Sequence, residues 1–290
     1  MNPSYKQIAD LFGMSVPVPA GGLEVSTSTR KPKGDNAVES SQLGGLSLSE
    51  GDYERAIEHF KRAIDQTEGN DPMRQLDLGG AYEFADMEPQ ALRQYRTALR
   101  ARADAPEPHL GIAELYKRDG RRRSAIVELE AALAANPANA FYQFKLAELH
   151  MDLGEKERAL VAIQHAVAAA PSDSFYHHWM GDLLIKMKRY SEALDAFRAA
   201  VELSPGDDFL YIRAAVAFWL EGKRPEAVKS VRLAGDLDPD KHIYHGILEL
   251  FLSEMGLETE ADLEAKSALK MDRYDQDLLD RFAAEVGLVT

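Results

Sequence analysis

No cysteine occurs among the 290 residues. Disulfide frameworks, cysteine-ligated zinc, iron–sulfur clusters and thiol catalysis are therefore excluded. No run of eighteen apolar residues exists, so no membrane span is expected. The opening residues, Met1 to Lys6, lack a basic stretch followed by an apolar core. They do not read as a secretory leader, and the cytoplasm is the expected compartment. Basic side chains are in deficit: 34 Lys and Arg stand against 48 Asp and Glu, a net charge of −14. Nucleic acid and anionic membranes are held chiefly by Lys and Arg, so neither is an expected partner. The signatures of catalysis are missing as well: there is no P-loop, dinucleotide fingerprint, nucleophile elbow or HExxH. Carboxylate pairs such as Glu128/Glu130 and Asp236/Asp238 are what 48 acidic residues produce on solvated helix faces. No enzymatic activity and no cofactor are expected, because function has to be argued from a site and none is visible.

What is present is a repeat. Alanine recurs at Ala56, Ala91, Ala125, Ala159, Ala193, Ala227 and Ala261, at intervals of 35 and then 34 residues. A second all-alanine column lies seven residues later, from Ala63 to Ala268. Between the two runs an apolar column: Phe60, Tyr95, Leu129, Ile163, Phe197, Val231 and Ala265. Upstream stand Leu43, Leu78, Ile112, Leu146, Met180, Ala214 and Leu248, each of the first six followed by Gly or Ala. Prolines close the middle repeats at Pro137, Pro171, Pro205 and Pro239.

These columns resemble the tetratricopeptide repeat (TPR) family, whose 34-residue unit pairs two antiparallel helices. Repeat five carries the motif well, in Met180-Gly181, Leu184, Ala193, Phe197, Ala200 and Pro205. The resemblance implies an all-α solenoid, a right-handed superhelix of helix–turn–helix units. Its seven repeats fall at 37–70, 72–105, 106–139, 140–173, 174–207, 208–241 and 242–275. Small residues belong where two helix axes approach most closely. Gly51, Gly120, Gly154 and Gly222 fall in the turn inside each repeat, where a positive φ is tolerated. Terminal repeats need a polar outer face. Residues 276–290 read as a C-terminal capping element, a helix with Leu278, Leu279, Phe282 and Val286 on one side. No comparable cap precedes repeat one, whose Gly44-Gly45 and serines make it the weakest helix former.

Residues 1–36 differ in composition. Val-Pro-Val-Pro-Ala-Gly-Gly and Ser-Thr-Ser-Thr cannot bury a core and read as a disordered linker. Ahead of it, residues 3–12 form a candidate short helix with Tyr5, Ile8, Leu11 and Phe12 apolar. This is either a frayed terminus or a docking motif, for another protein or for the chain's own groove. The tail holds four basic and three acidic side chains, a net of +1, so residues 37–290 carry −15. Partners with a basic surface are therefore favoured.

His109, His177 and His245 are 68 residues apart and occupy one repeat position, so their spacing belongs to the scaffold. A zinc site needs three or four convergent ligands, and no metal is expected. By the family resemblance, the first helix of each repeat lines a concave groove. That assigns Phe84, Glu114, Lys117, Phe141, Phe144, Lys145, Glu148, Phe175, His178, Trp179, Asp182, Lys186, Phe209, Arg213 and Trp219 to the partner-binding wall. Phe141, Phe175 and Phe209 recur at 34-residue intervals. They serve either as packing between neighbouring first helices or as an aromatic ladder for a bound segment. The carboxylate clamp of chaperone-binding relatives is absent from these columns, which argues against a chaperone co-factor. The expected function is a non-catalytic adaptor for one or more proteins. The alternatives are a substrate-presenting subunit of an enzyme complex and a filament-associated adaptor, and the first repeat is a candidate surface for self-association.

Overall fold

The computed structural model describes residues 33–67 and 71–288. Among these the chain is all helix and turn, with fifteen helices and no strand. It divides into two compact units, one ending at Pro137 and one beginning at Ala138. The first contains α1 (Lys33–Ser49), α2 (Tyr53–Asp65), α3 (Pro72–Phe84), α4 (Glu88–Ala101), α5 (Pro106–Arg118) and α6 (Arg122–Ala135). The second contains α7 (Ala140–Asp152), α8 (Lys156–Ala169), α9 (Ser174–Lys186), α10 (Tyr190–Leu203), α11 (Asp208–Leu220), α12 (Arg224–Leu237), α13 (Ile243–Glu254), α14 (Glu258–Ala268) and α15 (Arg273–Glu285). Odd-numbered helices open the repeats, even-numbered ones close them, and α15 follows the last repeat.

Within each repeat the two helices pack on one another, and within each unit the closing helix packs on the next opening one. Both alanine columns lie at this seam. Every alanine from Ala56 to Ala234 in the two columns is fully buried, and Ala261 and Ala268 nearly so. A larger side chain there would push the helix axes apart. The central apolar column fills the space they leave, with Phe197, Ile163 and Val231 fully buried. Phe197 fits because Gly181 faces it: a Cβ on Gly181 would stand 2.7 Å from the ring.

The turn inside each repeat holds one residue in the left-handed region. It is Gly51, Gly120, Gly154, Gly222 and Gly256 in five repeats. In the other two the same place is taken by Asp86 (φ 56°) and Lys188 (φ 60°), where the sequence alone marked no turn residue. The geometry is thus a property of the repeat, and a side chain at this point is a local cost.

Two boundaries differ from the sequence expectation. The first helix begins at Lys33 and not after Asn36. A lone glycine such as Gly34 costs a helix only about 1 kcal/mol, too little to stop one that continues for 17 residues. The capping helix begins at Arg273, three residues early, because the Asp272 carboxylate accepts the Asp275 backbone N–H at 2.8 Å. The expected docking motif at Tyr5, Ile8, Leu11 and Phe12 lies outside the described residues. No helix among the described residues is long and apolar enough to cross a membrane.

Candidate functional site

The first three opening helices of residues 138–290 start alike, whereas the fourth, α13, has no side-chain cap at His242. Asn139, Asp173 and Asp207 are N-caps, and their side chains accept the backbone N–H of Tyr142, Phe175 and Phe209 at 3.0, 3.0 and 3.1 Å. The cap fixes the first turn and with it the side chains at the second helical position. Phe175 and Phe209 project into solvent there, 41% and 49% exposed, whereas Phe141 is partly buried. The next position turns inward: Tyr142, Tyr176 and Tyr244 are buried, as the repeat register implies.

Behind each exposed ring lies a group of packed aromatic side chains. Phe144 meets Phe175 edge-on at 4.9 Å and Trp179 edge-on at 5.3 Å. His178 meets Phe209 edge-on at 5.3 Å. Edge-to-face contacts of this kind orient the rings and add about 0.5–1.5 kcal/mol each beyond their area burial. Lys145 stands 5.4 Å over the Phe141 ring and 3.3 Å from Glu148.

Next to the aromatics is a charged cluster. Arg213 donates through Nε to Asp182 and through both terminal nitrogens to Glu285, each at 2.8 Å. The fork is bidentate towards Glu285, the stronger geometry for this pair. His178 Nε2 lies 3.2 Å from Asp182, without a well-aligned hydrogen bond. Burial alone would raise the Asp182 pKa. The neighbouring His178 and Arg213 outweigh it and hold the carboxyl below its usual range, so Asp182 is ionised. Lys186 is exposed at the end of α9.

Two expected wall residues are not at a surface. Phe144 is 5% exposed and supports the Phe175 ring from beneath. Trp219 is 6% exposed, stacked on Phe251 at 4.0 Å with the rings 3° from parallel. The reason is composition: α11 buries Leu210, Ile212, Trp219 and the run Ala214–Ala217, so it has apolar neighbours on most of its circumference.

The corresponding helices of the first unit are built differently. Phe84 is stacked on Tyr53 at 6.1 Å. Around it the side chains are polar: Arg118 donates to Glu83 at 2.8 Å, and Glu114 and Lys117 are partly buried. The Tyr95 hydroxyl, from a closing helix, also donates to Glu83 at 2.7 Å. It reaches Glu83 between Gly79 and Gly111, where a Cβ at either position would fall 2.5 Å from the tyrosine ring. Burial raises the pKa of Glu83 in spite of these donors. Sequence reasoning missed this arrangement; the signal was Gly111, a glycine two residues before the small-residue column at Ala113.

The three histidines that share one repeat position are engaged within the scaffold. His109 pairs with Glu128 and His245 with Glu264, each at 2.7 Å and nineteen residues on, while the third, His177, bonds the Pro171 carbonyl at 2.9 Å. Among the described residues no group of three or more His, Asp or Glu is arranged to hold a metal ion.

Three family profiles match this sequence. Two are described as tetratricopeptide repeat and match residues 40–72 and 180–242. It is a tetratricopeptide repeat protein. The third profile, described as anaphase-promoting complex, cyclosome, subunit 3, matches residues 119–200 of this TPR chain. Solved structures agree on the fold. The C-terminal part of a TPR repeat-containing protein from Cytophaga hutchinsonii superposes with a TM-score of 0.68 at 15% identity, covering 81% of this chain and 98% of that one. YrrB, described as a TPR protein with an unusual peptide-binding site, gives 0.52 at 24% identity, over 62% and 93% of the two chains. MamA from Desulfovibrio magneticus RS-1, from its residue 41 to its end, gives 0.52 at 23% identity, over 61% and 99%. No curated protein matches the sequence significantly.

Proposed function

We propose that this TPR protein is a non-catalytic adaptor that captures a segment of a partner protein on the opening-helix face of residues 138–290. One observation carries the reading. Phe175 and Phe209 leave about half of each side chain in water although each is backed edge-on by a packed ring, Phe144 and His178 respectively. Each forfeits on the order of 1 kcal/mol of burial, which a bound apolar side chain restores. Aromatics backed by packed neighbours are the usual anchors of an interface. Fold-level likeness to a peptide-binding TPR protein is in keeping with this. The test is the pair Phe175→Ala and Phe209→Ala in the full chain. Partners cross-linked by the wild type should be lost, with helicity and melting temperature nearly unchanged. A large drop in melting temperature would assign both rings to packing between helices.

Self-association is a second reading. Val38, Leu43 and Leu46 on α1 are exposed apolar side chains on the first helix of the first repeat. Light scattering after size exclusion at several concentrations tests it, and a strict monomer ends it.

A further inference from the structure

The N-cap column differs in charge from repeat to repeat, and the difference coincides with the exposed rings. Asp71 precedes Met73 and is neutralised by an ion pair with Arg74. Asn139 precedes Phe141 and carries no charge. Asp173 and Asp207 precede the two exposed phenylalanines, and among the described residues neither forms a salt bridge with a Lys or Arg. Each places one carboxylate oxygen on the backbone N–H of the phenylalanine it precedes. Each exposed ring therefore has a carboxylate without an ion-pair partner two residues away, and the two Asp-x-Phe units stand 34 residues apart on neighbouring opening helices.

Of the three cations named on this face, Arg213 and Lys145 are committed and, among the described residues, Lys186 is not. Arg213 uses all three nitrogens on Asp182 and Glu285, two carboxylates against one guanidinium. Lys145 lies against Glu148 and Phe141. Lys186 is the exposed cation, eleven residues along α9 from Phe175. An incoming carboxylate would have to displace Glu285 or Asp182 to reach Arg213, whereas an incoming ammonium or guanidinium meets Asp173 and Asp207 unopposed. The wider field has the same sign: residues 138–290 hold 27 acidic and 17 basic side chains, a net of −10.

We infer that the captured segment is basic, with apolar side chains resting on Phe175 and Phe209 and lysine or arginine side chains beside Asp173 and Asp207. The inference builds on the adaptor reading and names the partner's chemistry. Complementary charge of this kind steers association and selects among partners.

The test is selection of random dodecapeptides displayed on phage against the full-length protein, followed by fluorescence anisotropy with the selected peptides. Enriched sequences should combine Lys or Arg with Phe, Leu or Ile, and lose binding to the Phe175→Ala/Phe209→Ala variant. Asp173→Asn with Asp207→Asn keeps both caps, since Asn caps a helix as well as Asp does, and removes only the charge. As expected of exposed charge pairs, this variant should bind the basic peptides about fivefold more weakly and with a flatter salt dependence. Enriched sequences that need both phenylalanines but are acidic or neutral would overturn this inference and leave the adaptor reading standing. So would an affinity that the double Asn variant does not change. A selection without any phenylalanine-dependent sequence would overturn both.

Discussion

The two units are built on one repeat and present different faces. In residues 33–137 the opening helices carry Gly79, Gly111, Glu83, Glu114, Lys117 and Arg118, and a tyrosine from a closing helix comes through to meet Glu83. In residues 138–290 the opening helices carry Phe141, Phe144, Phe175, His178, Trp179 and Phe209 beside the ion pairs of Arg213 and Lys145, and the closing-helix aromatic, Phe197, stays fully buried. The seam alanines are the same in both. A repeat scaffold thus separates what holds it together from what it displays. The alanine columns of the seam admit only small side chains, while the opening-helix face is free to be mainly polar in one unit and to set aromatics beside charges in the other.

The sharpest way to break that comparison is Trp219→Ala. If the residue belongs to the core, as its stacking on Phe251 indicates, stability falls by about 3–5 kcal/mol, read by chemical denaturation. Phe209→Ala, ten residues earlier on the same helix, should cost less than about 1 kcal/mol. Equal losses would erase the distinction between core and face in this unit. In the first unit Gly111→Ala forces a Cβ onto the Tyr95 ring and should cost about 1–3 kcal/mol, a cost that largely disappears when it is made in a chain already carrying Tyr95→Ala. A silent Gly111→Ala would mean that the tyrosine does not use the gap.

A pH measurement separates the units further. Burial, with Asp71 adding to it and Arg74 opposing it, raises the Asp77 carboxyl from its ordinary 3.8 to about 6. Folding therefore favours the protonated form. The stabilisation is full below pH 3.8 and is lost as pH rises through 6. Asp77→Asn should stabilise the first unit at pH 7 by about 1–2 kcal/mol and remove that dependence between pH 4 and 6. Hydrogen exchange should show the gain in residues 71–118 and leave residues 138–290 unchanged. The smallest effects belong to the turns. Lys188→Gly and Asp86→Gly should each gain about 1 kcal/mol in melting experiments, because only these two repeats hold a side chain in left-handed backbone.

Much of the fold was legible because its determinants are local and periodic. Ala56 to Ala261 mark the seam, and Gly51 or Gly120 marks the turn, from spacing alone. Asp86 and Lys188 hid two of the turns because neither residue type announces a positive φ. The face was less legible. Trp219 stands at a position that the family register assigns to the groove, yet its ring lies inside, because Phe251, thirty-two residues later, offers a flat partner that only packing reveals. The meaning of Asp173 and Asp207 was equally hidden. As residues they are ordinary N-caps, and what distinguishes them from Asp71 is the absence of a neighbour like Arg74. Glu285 could not be paired with Arg213 from sequence, since the contact spans 72 residues and depends on where α15 comes to rest.

That last contact bears on how the chain comes apart. Stacked repeats ordinarily touch only their immediate neighbours, so an end frays one unit at a time, each step weighted by a single interface. Arg213 joins α11 to α15 over the intervening repeat of α13 and α14, and joins α11 to α9 through Asp182. Loosening α15 strips a guanidinium of its forked partner two repeats away. The C-terminal end is thereby coupled beyond nearest neighbours, and opening the last helix carries the loss of this contact in addition to its own interface.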